Sequence, residues 1–406
     1  AMFDYDNFFD KTILSLKNEG RYRTFAQLER VVGEAPKVKW HRDDGAIKEV
    51  TVWCGNDYLG MGHNPKVISA MHSAIDNRGA GAGGTRNISG SSDLIVDLES
   101  ALARVRSKEA ALLFSSGYVA NEAALSVIPS IIPECTVISD SSNHASMIHG
   151  ISSSKAPKLI FKHNDPESLE NILKSLPINK PKLIAFESVY SMDGDFAPIA
   201  KFAELAKKYG ALTYLDETHG VGLYGQRGGG AAEELGLLDE IDIIQGGLGK
   251  GYGVVGGFIA GSSRLIDVVR SFGRGFIFTT ALPPAVVAGA LASVEHLEHS
   301  QNERVTHRAI VNYAKQQLRN ASLPIMPSES HIIPLMVYDA VRCKRLSEYL
   351  LEEEGVYLQP INFPTVPRGT ERFRITPSPL HTMEDVDQLI ISLKRAWLKF
   401  ELARAA

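Results

Sequence analysis

The sequence of 406 residues predicts an α/β protein: a large domain with a mostly parallel central sheet, plus a smaller α+β domain at the C-terminal end. Between residues 56 and 280, short apolar runs alternate with helical patterns, which is typical of a parallel sheet covered by helices on both faces. This alternation ends at a long helical pattern that begins near Leu282. Hydrophobic residues make up 44% of the chain and charged residues 22%, a balance that favours a large globular core.

The predicted elements follow in chain order. The first fifty residues contain an amphipathic helix and a hairpin around Asp43-Asp44-Gly45. Strands of the large domain are predicted at 110–114, 135–139, 182–188, 211–217, 241–246 and 256–261, with helices at about 65–77, 92–106, 117–128, 144–152, 166–175 and 198–209. The smaller domain is predicted to hold strands within 330–338, 355–361 and 372–378 and a helix over 342–354. We therefore predict three parts: an N-terminal segment (1–55), a large domain (56–295) and a small domain (296–406).

Charge and cysteine content exclude several classes of protein. Lys and Arg total 43 and Asp and Glu total 47, so the basic surface that binds nucleic acid is not expected. The three cysteines, Cys54, Cys135 and Cys343, are far apart and form no CxxC pair, which argues against a disulfide framework and a metal site. The first ten residues include three aspartates and no signal-peptide pattern, so a cytoplasmic protein without a membrane partner is predicted.

One glycine motif is set aside. The segment GAGAGG (79–84) matches the dinucleotide signature GxGxxG, but that signature requires a strand before it and a helix after it. The preceding residues 66–78 have a helical period instead. We expect either a flexible loop or a wall of a different ligand site here.

Three features at strand ends indicate a cofactor site. Asp216 ends one predicted strand, and Lys250 lies in a glycine-rich turn after another. Ser116 and Gly117 follow a third strand at the start of a helix, where free N–H groups can bind a phosphate. Alone, such a lysine is ordinarily a solvated loop residue and such an aspartate an N-cap. Together, an amine, a carboxylate and a phosphate cradle match the needs of pyridoxal phosphate.

Several segments then resemble a known family. The sequences DETHGVGLYG (216–225) and GGLGKGYGVVGGFIAG (246–261) are similar to those of the α-oxoamine synthases, and within them the 5-aminolevulinate synthases. These are fold-type I pyridoxal phosphate transferases that condense an amino acid with an acyl-CoA. The resemblance runs from about residue 10 to 395 and includes EGRYRTF (19–25), VWCGNDYLGMG (52–62), NHASMIHGI (143–151), FKHND (161–165), AFESVYSMDGD (185–195) and NFPTVPRGTER (362–372).

The resemblance implies roles for the catalytic residues. Lys250 would hold the cofactor and take the α-proton of glycine, Asp216 would pair with the pyridine nitrogen, and His219 would reach the ring hydroxyl. His144 would stack on the ring, although by itself it could be a capping or core histidine. The cofactor pocket would also include Ser116, Gly117 and Tyr118, with Thr279 and Thr280 reaching the phosphate from the partner subunit of a homodimer.

The same resemblance implies glycine and succinyl-CoA as substrates. Asn56 and Arg374 would hold the glycine carboxylate, with Ser191 nearby. Without the resemblance, Arg374 would be taken for a strand residue facing solvent, and Arg23 for a solvated arginine. The remaining substrate residues implied are Arg23, Thr85 and Asn87 for the succinyl carboxylate, Lys158 for the CoA phosphates, and Ser139.

Three positions depart from the family pattern. Gly247 stands where a threonine is usual, Gly220 where an alanine is usual, and Ile95 where a histidine is common. These departures also fit a specialised member that cyclises the CoA ester of the product to 2-amino-3-hydroxycyclopent-2-enone. The sequence is further compatible with a relative that uses a different acyl or amino donor, and with a subunit that keeps the fold without catalysis.

Overall fold

The structure, a computed structural model, describes residues 1–405 and contains two compact units. The larger unit comprises Asn56–Tyr190 and Asp195–Val305. The smaller unit comprises Ala1–Gly55, Ser191–Gly194 and the described residues from Thr306 onward. The division into three parts at residues 55 and 295 stays a prediction.

Helices and strands are numbered in chain order. The strands are β1 (Gln27–Arg30), β2 (Lys37–His41), β3 (Ile47–Val52), β4 (Ala110–Phe114), β5 (Thr136–Asp140), β6 (Lys158–Phe161), β7 (Lys182–Glu187), β8 (Leu212–Asp216), β9 (Ile243–Gly247), β10 (Gly257–Gly261), β11 (Ile333–Met336), β12 (Val356–Tyr357), β13 (Pro360–Ile361) and β14 (Arg372–Ile375). The α-helices are α1 (Tyr5–Asn18), α2 (Pro65–Arg78), α3 (Arg86–Ser89), α4 (Asp93–Val105), α5 (Gly117–Ile131), α6 (Ala145–Ser154), α7 (Pro166–Lys174), α8 (Ile199–Tyr209), α9 (Ala231–Glu234), α10 (Ser263–Phe272), α11 (Arg274–Ile277), α12 (Pro284–His299), α13 (Asn302–Asn320), α14 (Ala340–Tyr349) and α15 (Met383–Lys399).

The larger unit is built on a seven-stranded sheet in the order β4-β10-β9-β8-β7-β5-β6. Strands β5 to β9 pair in parallel with one another, and β10 is antiparallel to both of its neighbours. The predicted α/β fold with a mostly parallel sheet is confirmed. Because the parallel strands all end at one edge, the residues that follow β5, β7, β8 and β9 collect there.

Both faces of this sheet are covered. Leu183 and Ala185 of β7 belong to one buried cluster, which includes residues of α5 and α10. Ile184 and Phe186 of the same strand belong to another, which includes residues of α7 and α8. Alternate residues of a strand point to opposite faces, so these central strands need apolar residues at every position. That requirement explains the uninterrupted apolar runs in the sequence.

The smaller unit contains two sheets. One has the order β1-β2-β3-β12, and the other has the order β11-β14-β13. Its main core includes Trp53, Phe373 and Trp397, each almost fully buried. Among the described residues of the chain, no helix has both the length and the apolar character needed to span a bilayer.

Several elements differ from their sequence predictions, among them β12 and β13, which divide the stretch 355–361 between two sheets. Strand β6 was not predicted: it is an edge strand of only four residues, and three of them, Lys158, Leu159 and Ile160, are exposed. The helix expected over 342–354 begins at Ala340, and its α-helical part ends at Tyr349. A π-helical turn, Leu350–Glu354, follows it, so the helical pattern continues with a different hydrogen-bond spacing.

An aromatic group in the core provides a test of the packing. The ring of Phe202 makes edge contacts with those of Phe161 and Phe186, at centroid distances of 5.4 and 5.1 Å, and all three are fully buried. Phe202→Ala should lower the free energy of unfolding by about 3–5 kcal/mol, since it removes a ring from a close-packed core. Urea unfolding measures this loss. The control Phe272→Ala, at a residue 59% exposed, should change it little; equal losses would contradict the packing described.

Candidate active site

A cavity of about 290 Å³ lies in the larger unit at the carboxyl edge of its sheet. The cavity brings together eight residues that the sequence predicted for the cofactor or substrate. They come from segments up to 194 positions apart in the chain, and they meet at the edge of the sheet. These eight are Asn56, Ser116, Gly117, Tyr118, His144, Asp216, His219 and Lys250.

Asp216, the last residue of β8, is the buried carboxylate of the cavity and is only 4% exposed. Its Oδ2 accepts a hydrogen bond from Asn121 Nδ2 at 2.8 Å, and its Oδ1 accepts one from the Thr218 N–H at 2.8 Å. Tyr214 in turn donates its hydroxyl to Asn121 Oδ1 at 2.7 Å, which orients the amide. Both carboxylate oxygens are therefore hydrogen-bonded and fixed in position, as a partner for a protonated ring nitrogen must be.

Lys250 is placed by a short loop between two antiparallel strands. The loop from β9 to β10 is closed by hydrogen bonds from the N–H of Leu248 to Gly256 O and from the N–H of Val254 to Leu248 O, both at 2.8 Å. The N–H of Gly253 donates to the Lys250 carbonyl at 3.0 Å. Gly253 has φ near +74°, which a residue with a side chain adopts only with strain. The backbone that carries the amine is thus held by local contacts.

The start of α5 forms the cavity wall suited to a phosphate. Ser116 is the N-cap, and its side chain accepts from the Val119 N–H at 3.1 Å. The N–H groups of the first turn have no carbonyl partner within the helix, and they carry the partial positive charge of its N-terminus. A Cβ on Gly117 would lie 3.2 Å from Gln245 Nε2, so glycine allows the close packing of this turn.

His144 is held as a neutral ring at the start of α6. Its Nδ1 accepts from the Ser146 N–H at 3.1 Å and contacts the Ser146 hydroxyl at 2.7 Å. Burial lowers the pKa of His144, the Asp216 carboxylate opposes this shift, and the Lys250 ammonium adds to it. A neutral imidazole fixed at Nδ1 is suited to stacking against a flat ring.

Glu187 is a further carboxyl group in the cavity wall, at the end of β7. It accepts a hydrogen bond from the His144 N–H at 2.8 Å. Burial raises the pKa of Glu187 well above its usual range, and the nearby charge of Asp216 raises it further. Glu187 therefore favours its neutral form and supports the backbone that carries His144.

His219 is oriented by a buried tyrosine. Its Nδ1 lies 2.9 Å from the hydroxyl oxygen of Tyr58, a residue that is 1% exposed. This contact joins the segment after β8 to the segment VWCGNDYLGMG. The ring of His219 is therefore set by a partner 161 positions away in the sequence.

The segment FKHND supports the same edge of the sheet through an ion bridge. His163 contacts Asp140 through Nδ1 at 2.8 Å and Asp195 through Nε2 at 2.6 Å. Burial disfavours the imidazolium, but hydrogen bonds to the two carboxylates outweigh burial and raise the pKa of His163 to about 10. At neutral pH the charged ring therefore ties the end of β5 to the chain that follows β7.

Six other predicted residues of the larger unit lie outside this cavity. Thr279 and Thr280 line a separate, smaller cavity. Thr85 is the N-cap of α3 and donates to Ile277 O at 2.7 Å, and Asn87 is exposed. Lys158 is exposed at the start of β6.

Ser139 is also outside the cavity: it is buried in β5, where it accepts from Asn143 Nδ2 at 2.9 Å. The last three predicted residues belong to the smaller unit. Arg374 is buried in β14 and donates to the Ser191 carbonyl at 3.2 Å, so it is not the solvated strand residue that its local sequence suggests. Arg23 is exposed, with Nη2 at 3.4 Å from Thr365 Oγ1.

The partners of the predicted groups are not evident from the sequence. Asn121, Glu187 and Tyr58 each hold a predicted residue, yet none stands beside it in the chain. Asn121 and Glu187 were detectable only as polar residues within otherwise apolar runs. The other cavity residues outside the predicted set are Ser146, Thr218, Gly247, Gly249, Val255 and Gly256.

The residues present fit pyridoxal phosphate. An amine from Lys250, a satisfied carboxylate from Asp216 and the open first turn of α5 face one cavity. These are the groups needed to attach the aldehyde, to keep the pyridine nitrogen protonated and to bind the phosphate. Gly117 and Gly247 have no side chains, so the cavity is bordered there, next to the N-terminus of α5, only by backbone atoms.

Known proteins resemble this chain over nearly its whole length. Residues 48–393 match the family model Aminotransferase class I and II. The chain is 54% identical to 5-aminolevulinate synthase 1 of Cereibacter sphaeroides and 55% identical to 5-aminolevulinate synthase of Rhizobium meliloti, over 99% of each protein and of this chain. Among solved structures, a Sphingomonas wittichii serine palmitoyltransferase has a TM-score of 0.89 and 30% identity over 98% of both chains. An SPT variant solved with PLP has a TM-score of 0.90 and 29% identity over 98% of both chains.

The lysine can be tested through retention of the cofactor. Lys250→Ala should lose most bound pyridoxal phosphate on gel filtration, because the amine that would attach the cofactor is gone, while its circular dichroism stays unchanged. The visible absorbance of the protein after filtration is the measurement. Lys201→Ala, at an exposed lysine of α8, should retain the cofactor. Full retention and an unchanged visible spectrum in Lys250→Ala would contradict this role.

Proposed function

The chain belongs to the 5-aminolevulinate synthase family, and from this premise we propose that the cavity at the sheet edge is where glycine is joined to succinyl-CoA. The protein is a pyridoxal phosphate-dependent acyltransferase of tetrapyrrole and heme biosynthesis. Its reaction bonds the glycine α-carbon to the succinyl carbonyl carbon. CoA is released, the glycine carboxylate leaves as carbon dioxide, and 5-aminolevulinate is the product.

The observation that carries the site assignment is the convergence of four groups on one cavity. Lys250, Asp216, His219 and His144 all line it. A closed loop holds Lys250, and two hydrogen bonds hold Asp216. A tyrosine orients His219, and a serine orients His144. Such preorganisation lowers the cost of arranging the reacting groups at the moment of reaction.

Within this proposal, pyridoxal phosphate supplies an electron sink for the bonds that break at the glycine α-carbon. Lys250 would hold the cofactor through its Nζ and would take the α-proton of glycine. Asp216 would pair with the protonated pyridine nitrogen through its fixed carboxylate. His144 would stack on the cofactor and help to exclude water.

Two further groups of residues are proposed from the resemblance. Asn56, which lines the cavity, and Arg374 hold the glycine carboxylate. Thr279 and Thr280 bind the cofactor phosphate of the partner subunit in a homodimer. Their position outside the cavity of their own subunit supports that assignment.

A product assay tests the proposed function. Purified protein loaded with pyridoxal phosphate is given glycine and, separately, succinyl-, acetyl-, butyryl- or palmitoyl-CoA, and the products are identified by mass spectrometry. We expect 5-aminolevulinate from succinyl-CoA and little product from the others. A main product from another acyl-CoA would overturn the substrate assignment. A parallel sample with 5-aminolevulinyl-CoA tests for the cyclic enone.

Arg23 can be tested for recognition of the succinyl carboxylate. A guanidinium binds a carboxylate through two parallel hydrogen bonds, and butyryl-CoA lacks that carboxylate. Arg23→Leu should lower kcat/KM for succinyl-CoA relative to butyryl-CoA by roughly tenfold to a hundredfold. Arg30→Leu, at another exposed arginine of the same unit, is the control. An unchanged ratio in Arg23→Leu would assign the succinyl carboxylate to a different cation.

A further inference from the structure

Two polar side chains at the cavity wall have no role in the site described so far. Thr218 Oγ1 donates a hydrogen bond to Gln245 Oε1 at 2.9 Å. Gln245 Nε2 donates to the Gly117 carbonyl at 3.2 Å and to the Gly246 carbonyl at 3.4 Å. Gln245 is fully buried in β9, and Thr218 lines the cavity.

This chain of hydrogen bonds joins the three elements that carry the cofactor site. Thr218 follows Asp216 by two residues, and its own N–H binds the Asp216 carboxylate. Gln245 lies on β9, five residues before Lys250. Gly117 is the first residue of α5, which offers its N–H groups to the phosphate. One pair of side chains therefore links the carboxylate, the lysine and the phosphate cradle.

The bond to Gly117 also sets the direction of an N–H group. The Gly117 carbonyl and the Tyr118 N–H belong to one planar peptide group, and they point in opposite directions. Gln245 Nε2 holds the carbonyl, so the orientation of the Tyr118 N–H is held as well. In the first turn of a helix, such an N–H can donate a hydrogen bond to an anion.

The space around Gly117 and Gly247 shows how closely the side chains of Thr218 and Gln245 pack against the backbone. A Cβ on Gly117 would lie 3.2 Å from Gln245 Nε2 and 3.6 Å from Thr218 Oγ1. A Cβ on Gly247 would lie 3.3 Å from Thr218 Cγ2. The Thr218 side chain thus occupies the space beside Gly247, where no side chain is present to contribute a hydroxyl.

We propose that Thr218 and Gln245 are a positioning pair that holds the phosphate end of the cofactor site, with Thr218 as the residue that fixes the Gln245 amide. The proposal rests on the cofactor site assigned above, and it is independent of the acyl donor. Removing the Thr218 hydroxyl leaves Gln245 Oε1 buried without this donor and frees the amide to move.

The test is a titration of the apoprotein with pyridoxal phosphate in the absence of substrates. Thr218→Val should raise the Kd of the cofactor about tenfold, the effect of losing one buried hydrogen bond. Thr218→Ser keeps the hydroxyl and should restore a Kd close to that of the unsubstituted protein. The ³¹P resonance of the bound cofactor should move in Thr218→Val and return in Thr218→Ser, because it reports directly on the phosphate surroundings.

A matched control separates positioning from stability. Thr213 lies on the same strand as Asp216, is 1% exposed and donates its hydroxyl to Asp242 Oδ2 at 3.1 Å. Thr213→Val should lower the Tm of the apoprotein while leaving the Kd and the ³¹P resonance unchanged. If Thr218→Val behaves in the same way, the pair is only structural and the proposal is overturned.

A second variant keeps the proposal testable if Thr218→Val does not fold. Gln245→Met removes both the hydrogen bond from Thr218 and the one to the Gly117 carbonyl. It should weaken cofactor binding at least as much as Thr218→Val. The double variant Thr218→Val/Gln245→Met should be no worse than Gln245→Met, because both changes break one chain. Fully additive losses would overturn the proposal. Failure of the unsubstituted protein to bind the cofactor would instead refute the cofactor site itself.

Discussion

The carboxylate of Asp216, buried at the end of β8, is the interaction on which the cavity depends. A buried charge is tolerated only where hydrogen bonds replace its hydration. Asn121 from α5 and the N–H of Thr218 supply two such bonds. The helix that carries Asn121 must therefore lie against the strand that ends in Asp216. This places the N-terminus of α5 at the same sheet edge as Lys250.

Much of this fold could be predicted because parallel strands leave a clear pattern in sequence. Strands β7 and β8 are covered on both faces, so nearly every position is apolar and each run ends at a turn or a polar residue. Strand β6, at the sheet edge, has only four residues, and its apolar Leu159 and Ile160 are both exposed, so its sequence shows neither a long apolar run nor an alternation of apolar and polar residues. The π-helical turn at Leu350–Glu354 could not be foreseen, since helical periodicity does not distinguish it from an α-helix.

The candidate site shows the same division between what was predictable and what was not. Asp216 and Lys250 could be identified because strand ends of a parallel sheet converge wherever the chain folds in this way. Tyr58, Asn121 and Glu187 could not, because each acts through a partner distant in sequence. No local pattern marks a hydrogen bond between residues 161 positions apart. The roles of these partners follow only from the tertiary structure.

The antiparallel strand β10 has a consequence for the motions of the lysine loop. A parallel partner would have required a long crossover, whereas β10 lets the chain return within a few residues. The N–H groups of Leu248 and Val254 are inside the closed loop and bonded to its own carbonyls. Their exchange with solvent deuterium therefore requires the loop to open, and not only a brief fluctuation of one residue. We therefore expect the backbone around the amine to exchange as slowly as the neighbouring strands of the sheet.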